Sequence, residues 1–361
     1  MQFRDLHRQY EAMQAEMDEA LQRVVRSGAY IMGSQVAELE RQLADYVGVK
    51  HCISCANGTD ALRMALMALD IKRGDSVIVP DFTFFATAEV VAEVGALPIF
   101  VDVDKETYNI DVANLCEVCR KLDQKPKAVI AVDLFGLPVE YDRLREACEC
   151  LGLTLIEDGA QGFGGLSCDG HRNCSFGDIS TTSFFPAKPL GCYGDGGALF
   201  TDDDERAELL RSIRVHGKGK DKYDNVRLGF NSRLDTIQAA VLQVKMKYFD
   251  EELKAINHVA ERYTELLSGK VKTPIVPQGY TSSWAQYTIQ SPERDTIQAR
   301  LKAAGIPSMV YYPRTMSQQT AFAQLGQKPC PVAERLTKTV LSLPIHPYLT
   351  DEEIKQIASA I

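Results

Sequence analysis

No stretch of this chain is apolar for long enough to cross a bilayer. The longest apolar runs are strand-sized and are soon broken by charge, Gly or Pro. Residues 1–14, MQFRDLHRQYEAMQ, contain no apolar signal core. These two absences predict a cytoplasmic protein with no membrane partner. An excess of basic residues is missing as well. Forty Lys and Arg stand against 49 Asp and Glu, a net charge of −9, which is the reverse of a nucleic-acid-binding footprint and leaves room only for a local basic pocket that takes a small phosphorylated molecule. No internal repeat or low-complexity tract appears. No G-x-G-x-x-G follows the first strand, which excludes a Rossmann dehydrogenase.

Cysteine is not scarce: there are ten. Cys52/Cys55 and Cys116/Cys119 both read C-x-x-C, but one pair falls in an apolar strand-to-loop stretch and the other in a helical pattern, not in one small loop-rich module. The expectation is reduced thiols serving as small apolar residues, with no metal. At 361 residues, 45% hydrophobic and 25% charged, the chain has the composition of a soluble α/β protein. It is long enough to bury one large core and a smaller second one.

Helical spacing covers the first stretch to about Val47, with a break between Gly28 and Gly33. Beyond it, strands alternate with helices. Strands are expected at 51–55, 76–80, 97–103, 127–132 and 154–158, and helices at 59–69, 87–94 and 141–151. Residues 179–184 and 197–201 read as paired strands. This βαβ alternation predicts an α/β fold with a mainly parallel, doubly wound sheet. One long helical pattern, 235–267, then leads away from the sheet. Residues 284–289, a helix at 294–304 and 308–312 suggest a small C-terminal α+β domain. The division expected is 1–248 for a large domain and 249–361 for a small one.

Four segments carry chemistry. In Cys55-Ala-Asn-Gly-Thr-Asp-Ala-Leu62 a strand ends and a helix begins. Free N–H groups at a helix N-terminus, with Gly58 allowing close approach and Thr59 adding a hydroxyl, make an anion site; the plainer reading is a helix cap by Asn57 or Thr59. In Ile156-Glu-Asp-Gly-Ala-Gln-Gly-Phe-Gly164 an apolar strand ends at Asp158, on the sheet edge where doubly wound folds bind ligands. A carboxylate there can pair with a protonated ring nitrogen, or simply cap a turn. Thr181 to Gly197 is dense in Gly, Pro and aromatics around one lysine, Lys188. A desolvated lysine has a lowered pKa and acts as nucleophile or base; a solvated loop lysine rarely has such neighbours. Ser183 is placed to bond a phosphate. Finally, Arg227 and Asn231-Ser-Arg-Leu-Asp235 precede the long helical pattern, offering two arginines and an amide for phosphate or carboxylate, or helix caps from Ser232 or Asp235.

Taken together, Asn57-Gly-Thr-Asp60, Glu157-Asp-x-Ala-Gln161, Ser183-Phe-Phe-Pro-x-Lys188 and Asn231-x-Arg-Leu-Asp235 resemble the DegT/DnrJ/EryC1/StrS family of sugar-nucleotide aminotransferases. The likeness runs from Gly28 to Tyr348. It implies the aspartate aminotransferase fold (fold type I of the pyridoxal-phosphate-dependent transferases) and a pyridoxal 5′-phosphate cofactor that passes through pyridoxamine 5′-phosphate. By matching position, Lys188 would hold the cofactor covalently and Asp158 would keep its ring nitrogen protonated. Gln161 would bond the ring hydroxyl and Phe84 would stack on the ring. Gly58, Thr59 and Ser183 would hold the phosphate, with Asn231 from a second subunit, which implies a homodimer with shared sites.

Within the family, the strings 52–62, 183–197 and 346–349 are most like enzymes that aminate C3 of UDP-2-acetamido-3-keto-glucuronic acid. L-Glutamate is the implied donor. Arg227 or Arg233 would bind the carboxylate of the donor or of a uronate, and Tyr30, Tyr311, Tyr312 and His346 would contact the sugar or nucleotide. The chain departs from the common family pattern at Asp133-Leu-Phe-Gly136 and Tyr311-Tyr312-Pro313, both expected near the sugar. Other readings are a C4-aminating enzyme, a non-catalytic nucleotide-sugar-binding regulator, a sugar dehydratase, in which histidine replaces the lysine, and a cysteine desulfurase, which lacks this lysine segment.

Overall fold

The structure, a computed structural model, describes residues 1–221 and 223–361. Two helices open the chain, α1 (Leu6–Ser27) and α2 (Ser34–Val47). Strands and helices then alternate through β1 (His51–Cys55), α3 (Gly58–Ala68), β2 (Ser76–Pro80), α4 (Phe85–Glu93), β3 (Leu97–Val101), α5 (Val112–Lys121), β4 (Ala128–Val132), α6 (Tyr141–Leu151) and β5 (Thr154–Asp158). Next come β6 (Ile179–Ser183), β7 (Gly197–Thr201), α7 (Asp204–Ile213), α8 (Thr236–Met246) and α9 (Phe249–Leu267). The chain ends with β8 (Tyr287–Gln290), α10 (Arg294–Ala303), α11 (Pro331–Thr339), β9 (Val340–Leu343) and α12 (Asp351–Ser359).

Seven strands form one sheet in the order β1-β7-β6-β5-β4-β2-β3. β3, β2, β4, β5 and β6 are parallel, and β7 runs against both β6 and β1. β2, β4 and β7 are buried at every position, as strands must be when helices cover both faces. One face packs on α3, α4 and α7 through Leu62, Leu66, Val90 and Leu210. The other packs on α5 and α6 around Leu115 and Leu144. Because the strands are parallel, their C-terminal ends share one edge. There the chain places Asp81 after β2, Asp133 after β4, Asp158 at the end of β5 and Ser183 at the end of β6.

The expected helix at 235–267 is two helices. The chain bends at Lys247 and Tyr248, which lets Phe249 turn into the core formed with α1 and α2, and three acids in the first turn of α9 favour a new N-terminus. The strand expected from Trp284 begins only at Tyr287, since Trp284 has φ +50° and cannot be extended. Residues 308–312 form no strand; Met309 alone pairs with Ser342, and Tyr311 and Tyr312 turn instead into an aromatic group with Phe82 and Phe84. Two buried aspartates fasten this later part of the chain to the sheet edge. Asp81 accepts from the N–H of Ser317 (2.7 Å) and of Cys330 (2.9 Å), and Asp102 accepts from those of Val332 and Ala333 at the start of α11.

All ten cysteines are free thiols. Among the described residues, no helix is long and apolar enough to cross a membrane.

Candidate active site

Lys188 sits in a tight coil between β6 and β7. The N–H of Lys188 donates to Phe185 O (2.8 Å), and that of Cys192 donates to Phe184 O (2.7 Å). Gly191 has to be glycine in this coil, because a Cβ there would lie 2.4 Å from Pro186 O. Lys188 is half-buried, and its Nζ has no hydrogen bond or ion pair among the described residues. Burial pushes the amine below the usual lysine range, the Asp158 carboxylate pulls it back up, and the Arg4 guanidinium lowers it further.

Asp158 is buried at the carboxyl end of β5. It accepts from the Thr87 hydroxyl (2.9 Å) and from the N–H of Ala160 (3.2 Å). Burial raises its pKa, against the pull of Thr87, Lys188 and Ala160. A buried carboxylate with two donors, facing an unpartnered amine, is an incomplete polar pair and suits a ligand that takes both.

The N-terminus of α3 lies beside this pair. Asn57 caps the helix, its side chain accepting from the N–H of Asp60 (2.8 Å). The N–H groups of Gly58 and Thr59 and the Thr59 hydroxyl have no partner among the described residues. The cap therefore leaves these donors open. Gly58 is required, since a Cβ would stand 2.6 Å from Ser183 Cβ; the helix end can approach the end of β6 only without one. The Ser183 hydroxyl oxygen accepts from the N–H of Phe185 (3.3 Å) and keeps its own proton to donate.

Phe84 ends the loop before α4 and is 52% exposed, an apolar face left open beside Tyr312, with ring centroids 6.3 Å apart. Gln161 is buried. Its Oε1 accepts from the N–H of Phe135 (2.9 Å), and its Nε2 donates to the Tyr312 hydroxyl (3.2 Å). Tyr311 packs edge-on against Tyr312 and against Phe3.

The remaining sequence-derived residues do not join this group. Asp133 is fully buried beside the end of β5, its N–H donating to Asp158 O (3.2 Å) and its carboxyl group accepting from the Tyr141 hydroxyl (2.8 Å) and the N–H of Val139 (3.1 Å). It faces the protein interior rather than an opening, so its expected place near the sugar is corrected. Tyr30 is exposed and donates to Val25 O. Arg227, Arg233 and Asn231 lie in the loop before α8. Arg227 donates to the Ser212 hydroxyl (2.5 Å), Arg233 lines with it a surface cavity of about 920 Å³, and Asn231 is exposed. Ser232 caps no helix; it bonds Asp60 (2.7 Å) and so ties this loop to the first turn of α3. Asp235 precedes α8 without a capping bond. His346 is buried with Nδ1 unpartnered, among Asp5, Arg4, Arg8 and Glu353, and burial holds its pKa down at about 4.

Thr87 and Arg4 touch the central pair and were not singled out from sequence. Thr87 lies in the first turn of α4, three residues after Phe84, and could have been found by asking which hydroxyl faces the strand end. No motif marks Arg4.

The donor set fits a flat aldehyde-bearing cofactor with a phosphate: one free amine, one buried acid opposite, an open aromatic face, and free N–H groups at a helix end. Comparison with known proteins agrees. The profile of the DegT/DnrJ/EryC1/StrS aminotransferase family matches residues 11–361. The chain is 46% identical to UDP-2-acetamido-2-deoxy-3-oxo-D-glucuronate aminotransferase of Pseudomonas aeruginosa, covering 100% of this chain and 99% of that one. It is 43% identical to a pleiotropic regulatory protein of Geobacillus stearothermophilus, covering 99% and 96%. The crystal structure of a DegT DnrJ EryC1 StrS aminotransferase from Brucella abortus superimposes with a TM-score of 0.97 at 49% identity, covering 100% and 98%.

Proposed function

The chain belongs to the DegT/DnrJ/EryC1/StrS aminotransferase family, and from this premise we propose that it moves an amino group from L-glutamate to C3 of UDP-2-acetamido-2-deoxy-3-oxo-glucuronic acid, in the cytoplasm, for a surface polysaccharide. The class of reaction is that of the family: the chain is a pyridoxal-phosphate-dependent sugar-nucleotide aminotransferase of fold type I. The choice of sugar rests on the Pseudomonas relative, whose name specifies that substrate.

The observation that carries the reading is the unpartnered Lys188 amine facing buried Asp158 beside the free N-terminus of α3. Pyridoxal phosphate, when bound, supplies an aldehyde carbon for amine exchange and a ring that draws electrons from the reacting carbon. Lys188 holds it through Nζ. Asp158, kept in place by Thr87 and Ala160, holds the proton on the ring nitrogen. Gly58, Thr59 and Ser183 would bind the phosphate, Phe84 would cover one ring face, and Gln161 would bond the ring hydroxyl. The Lys188 amine would move a proton at the reacting carbon, and burial, which lowers its pKa, favours the free base that this role needs. Tyr311 and Tyr312 would serve the sugar or nucleotide, while Arg227, Arg233 and Tyr30, which stand apart from Lys188 within one protomer, would take a substrate group only across a site shared between two copies.

Two copies share the site in this reading, with Asn231 of one protomer completing the phosphate cradle of its partner. The loop that carries it supports this, since Leu228 is 88% exposed and Val226 53%, and Ile31 and Met32 near α8 are also exposed. Such apolar surface is more than a lone protomer needs and suits burial against a second copy. The division at residue 248 is likewise proposed; it is supported by a separate apolar cluster containing Ile256, Tyr263, Tyr287, Leu301 and Leu343.

The kinship with a regulatory protein keeps a non-catalytic role as the second reading. Retention of the full pair, Lys188 with Asp158, favours catalysis. Purified protein is expected to absorb visible light from its lysine-bound cofactor and to form a UDP-amino sugar from the keto sugar and glutamate. Lys188→Ala is expected to lose both. An unchanged rate in that variant ends the reading, and a faster rate with a 4-keto-6-deoxy sugar nucleotide redirects it to C4.

A further inference from the structure

Before α1 the chain runs back across the face of the Lys188 coil. Phe3 rests its ring edge-on against Tyr311 at 6.3 Å, and Phe3 O accepts from the N–H of Ile345. Asp5 caps α1 by accepting from the N–H of Arg8 (3.0 Å). Between these anchors, Arg4 Nη2 donates to the backbone carbonyl of Lys188 (3.3 Å). The backbone of Arg4 is thus held on both sides, and its guanidinium meets the one residue whose amine the proposed reaction needs.

The surroundings of that guanidinium are unusual in their charge. Lys188, Lys245 and His346 all face it as cationic or potentially cationic groups, and one carboxylate, Glu252 of α9, faces it as well. Glu252 is already occupied, accepting from Gln9 at 2.9 and 3.0 Å and from the Tyr348 hydroxyl at 2.5 Å. Among the described residues Arg4 forms no ion pair, and its Nη1 is buried without a partner. An arginine placed only to stabilise the fold would be expected to meet a free carboxylate. This one faces only a carboxylate that is already bonded elsewhere, and it stands next to a lysine.

We propose that Arg4 is a positioning residue for Lys188: it holds the coil by the carbonyl of residue 188 and sets a fixed positive charge beside the amine. The inference rests on the assignment of Lys188 as the cofactor-holding and proton-moving amine. Its physical content is electrostatic. Two charged groups face Lys188 from the elements packed on it, Asp158 from β5, which favours the protonated amine, and Arg4 from the N-terminal segment, which opposes it. When Asp158 is engaged with the ring nitrogen of a bound cofactor, its charge is largely answered there, and the push from Arg4 is left to act. A lysine that must take a proton near neutral pH needs such a push in addition to burial. Arg4 can supply it over the whole working range because even here its pKa, lowered by burial to about 10, stays above neutrality.

The test is a spectrophotometric pH titration of the holoenzyme, which reads the protonation of the lysine–cofactor linkage without turnover. Arg4→Gln keeps a donor for the carbonyl of residue 188 and removes the charge. It is expected to raise the titration midpoint by about one pH unit, the order of effect of removing one nearby unit charge at an effective dielectric near 20. The acid limb of the kcat profile is expected to move the same way. Arg4→Lys restores the charge and is expected to return the midpoint toward that of the native protein, and Arg4→Met gives the same reading as Arg4→Gln if glutamine is not tolerated. A midpoint unmoved in the uncharged variants overturns the proposal, whether or not the melting temperature falls, because a merely structural arginine would change stability and leave the titration alone. A native protein with no visible absorbance at all refutes the cofactor assignment and this inference with it. Normal absorbance with an unmoved midpoint refutes only the role of Arg4.

Discussion

Thr87 offers a sharp test of the acid opposite the lysine. Its hydroxyl supplies one of the two hydrogen bonds that Asp158 receives, at 2.9 Å, and the other, from the N–H of Ala160, is longer at 3.2 Å. Thr87→Val removes the hydroxyl at nearly constant volume. A hydrogen bond to a buried charged group contributes about 1.5–3 kcal/mol, or about 1–2 pKa units on the carboxyl group. Burial already raises that pKa, and Thr87 is the largest opposing influence. Without it the carboxyl rises further, carries less charge near neutrality, and protects the ring proton less well. The glutamate half-reaction, followed by the loss of visible absorbance, is expected to slow by about 10- to 100-fold near neutral pH. The deficit should shrink as pH rises and the carboxylate re-ionises. Thr83 also bonds Thr87, at 3.1 Å, so Thr83→Val is the control and should cost much less, while Thr87→Ser should recover most of the rate. Native kinetics in Thr87→Val, or a deficit that grows with pH, would refute the reasoning.

Other expectations concern the interior and the shared site. Asp133 has its pKa pushed well up by burial and by neighbouring Glu157. Its folded-state pKa therefore lies above its unfolded value, so its contribution is complete below the unfolded value and is lost as pH rises through the folded one. Asp133→Asn, which keeps an acceptor for Tyr141 and Val139, should melt at or above the native temperature near about pH 8, with the advantage narrowing toward about pH 5; a pH trend of opposite sign in differential scanning fluorimetry would contradict this. Leu228→Glu should yield monomers in light scattering with little amination. Mixing Lys188→Ala with Asn231→Ala protomers should regenerate about a quarter of the native sites, because half of the dimers then carry one intact site; no recovery in a mixed, dimeric sample would place Asn231 outside the partner's site.

The sheet and the central pair were legible because their signals are local. β1, β2 and β5 fall on the expected residues, since short apolar runs bounded by Gly, Pro and Asp admit few alternatives. Asp158 and Lys188 stood out by being polar groups in apolar or glycine-dense surroundings. What stayed hidden depends on distant partners. The bend at Lys247 and Tyr248 is set by where Phe249 packs, and periodicity alone cannot see it. Asp133 follows β4 at the same sheet edge where Asp158 ends β5, yet it faces Tyr141, and no spacing rule tells an edge residue that looks inward from one that looks out. Arg4 reaches residue 188 across 184 positions of sequence, so its meaning exists only in the folded chain.

The two neighbouring acids of β5 explain why a strand end can carry a charged site without losing its shape. Successive residues of a strand point to opposite faces, so Glu157 looks away from Asp158. Glu157 accepts from the Ser180 hydroxyl (2.7 Å) and from the N–H groups of Phe176 (2.8 Å), Gly177 (3.3 Å) and Cys174. Asp133 beside it has donors for one oxygen only, and its Oδ2 has none. With one proton between the two acids, it belongs on Asp133, the poorer-served of the pair, and the charge on Glu157, which has four donors to spread it. That ionised glutamate knits the 174–180 loop to β5 and β6, whose next residues are Asp158 and Thr181. The acid that serves chemistry can therefore be left with only two hydrogen bonds, and so remain responsive to a ligand, because the acid behind it secures the strand on which both stand.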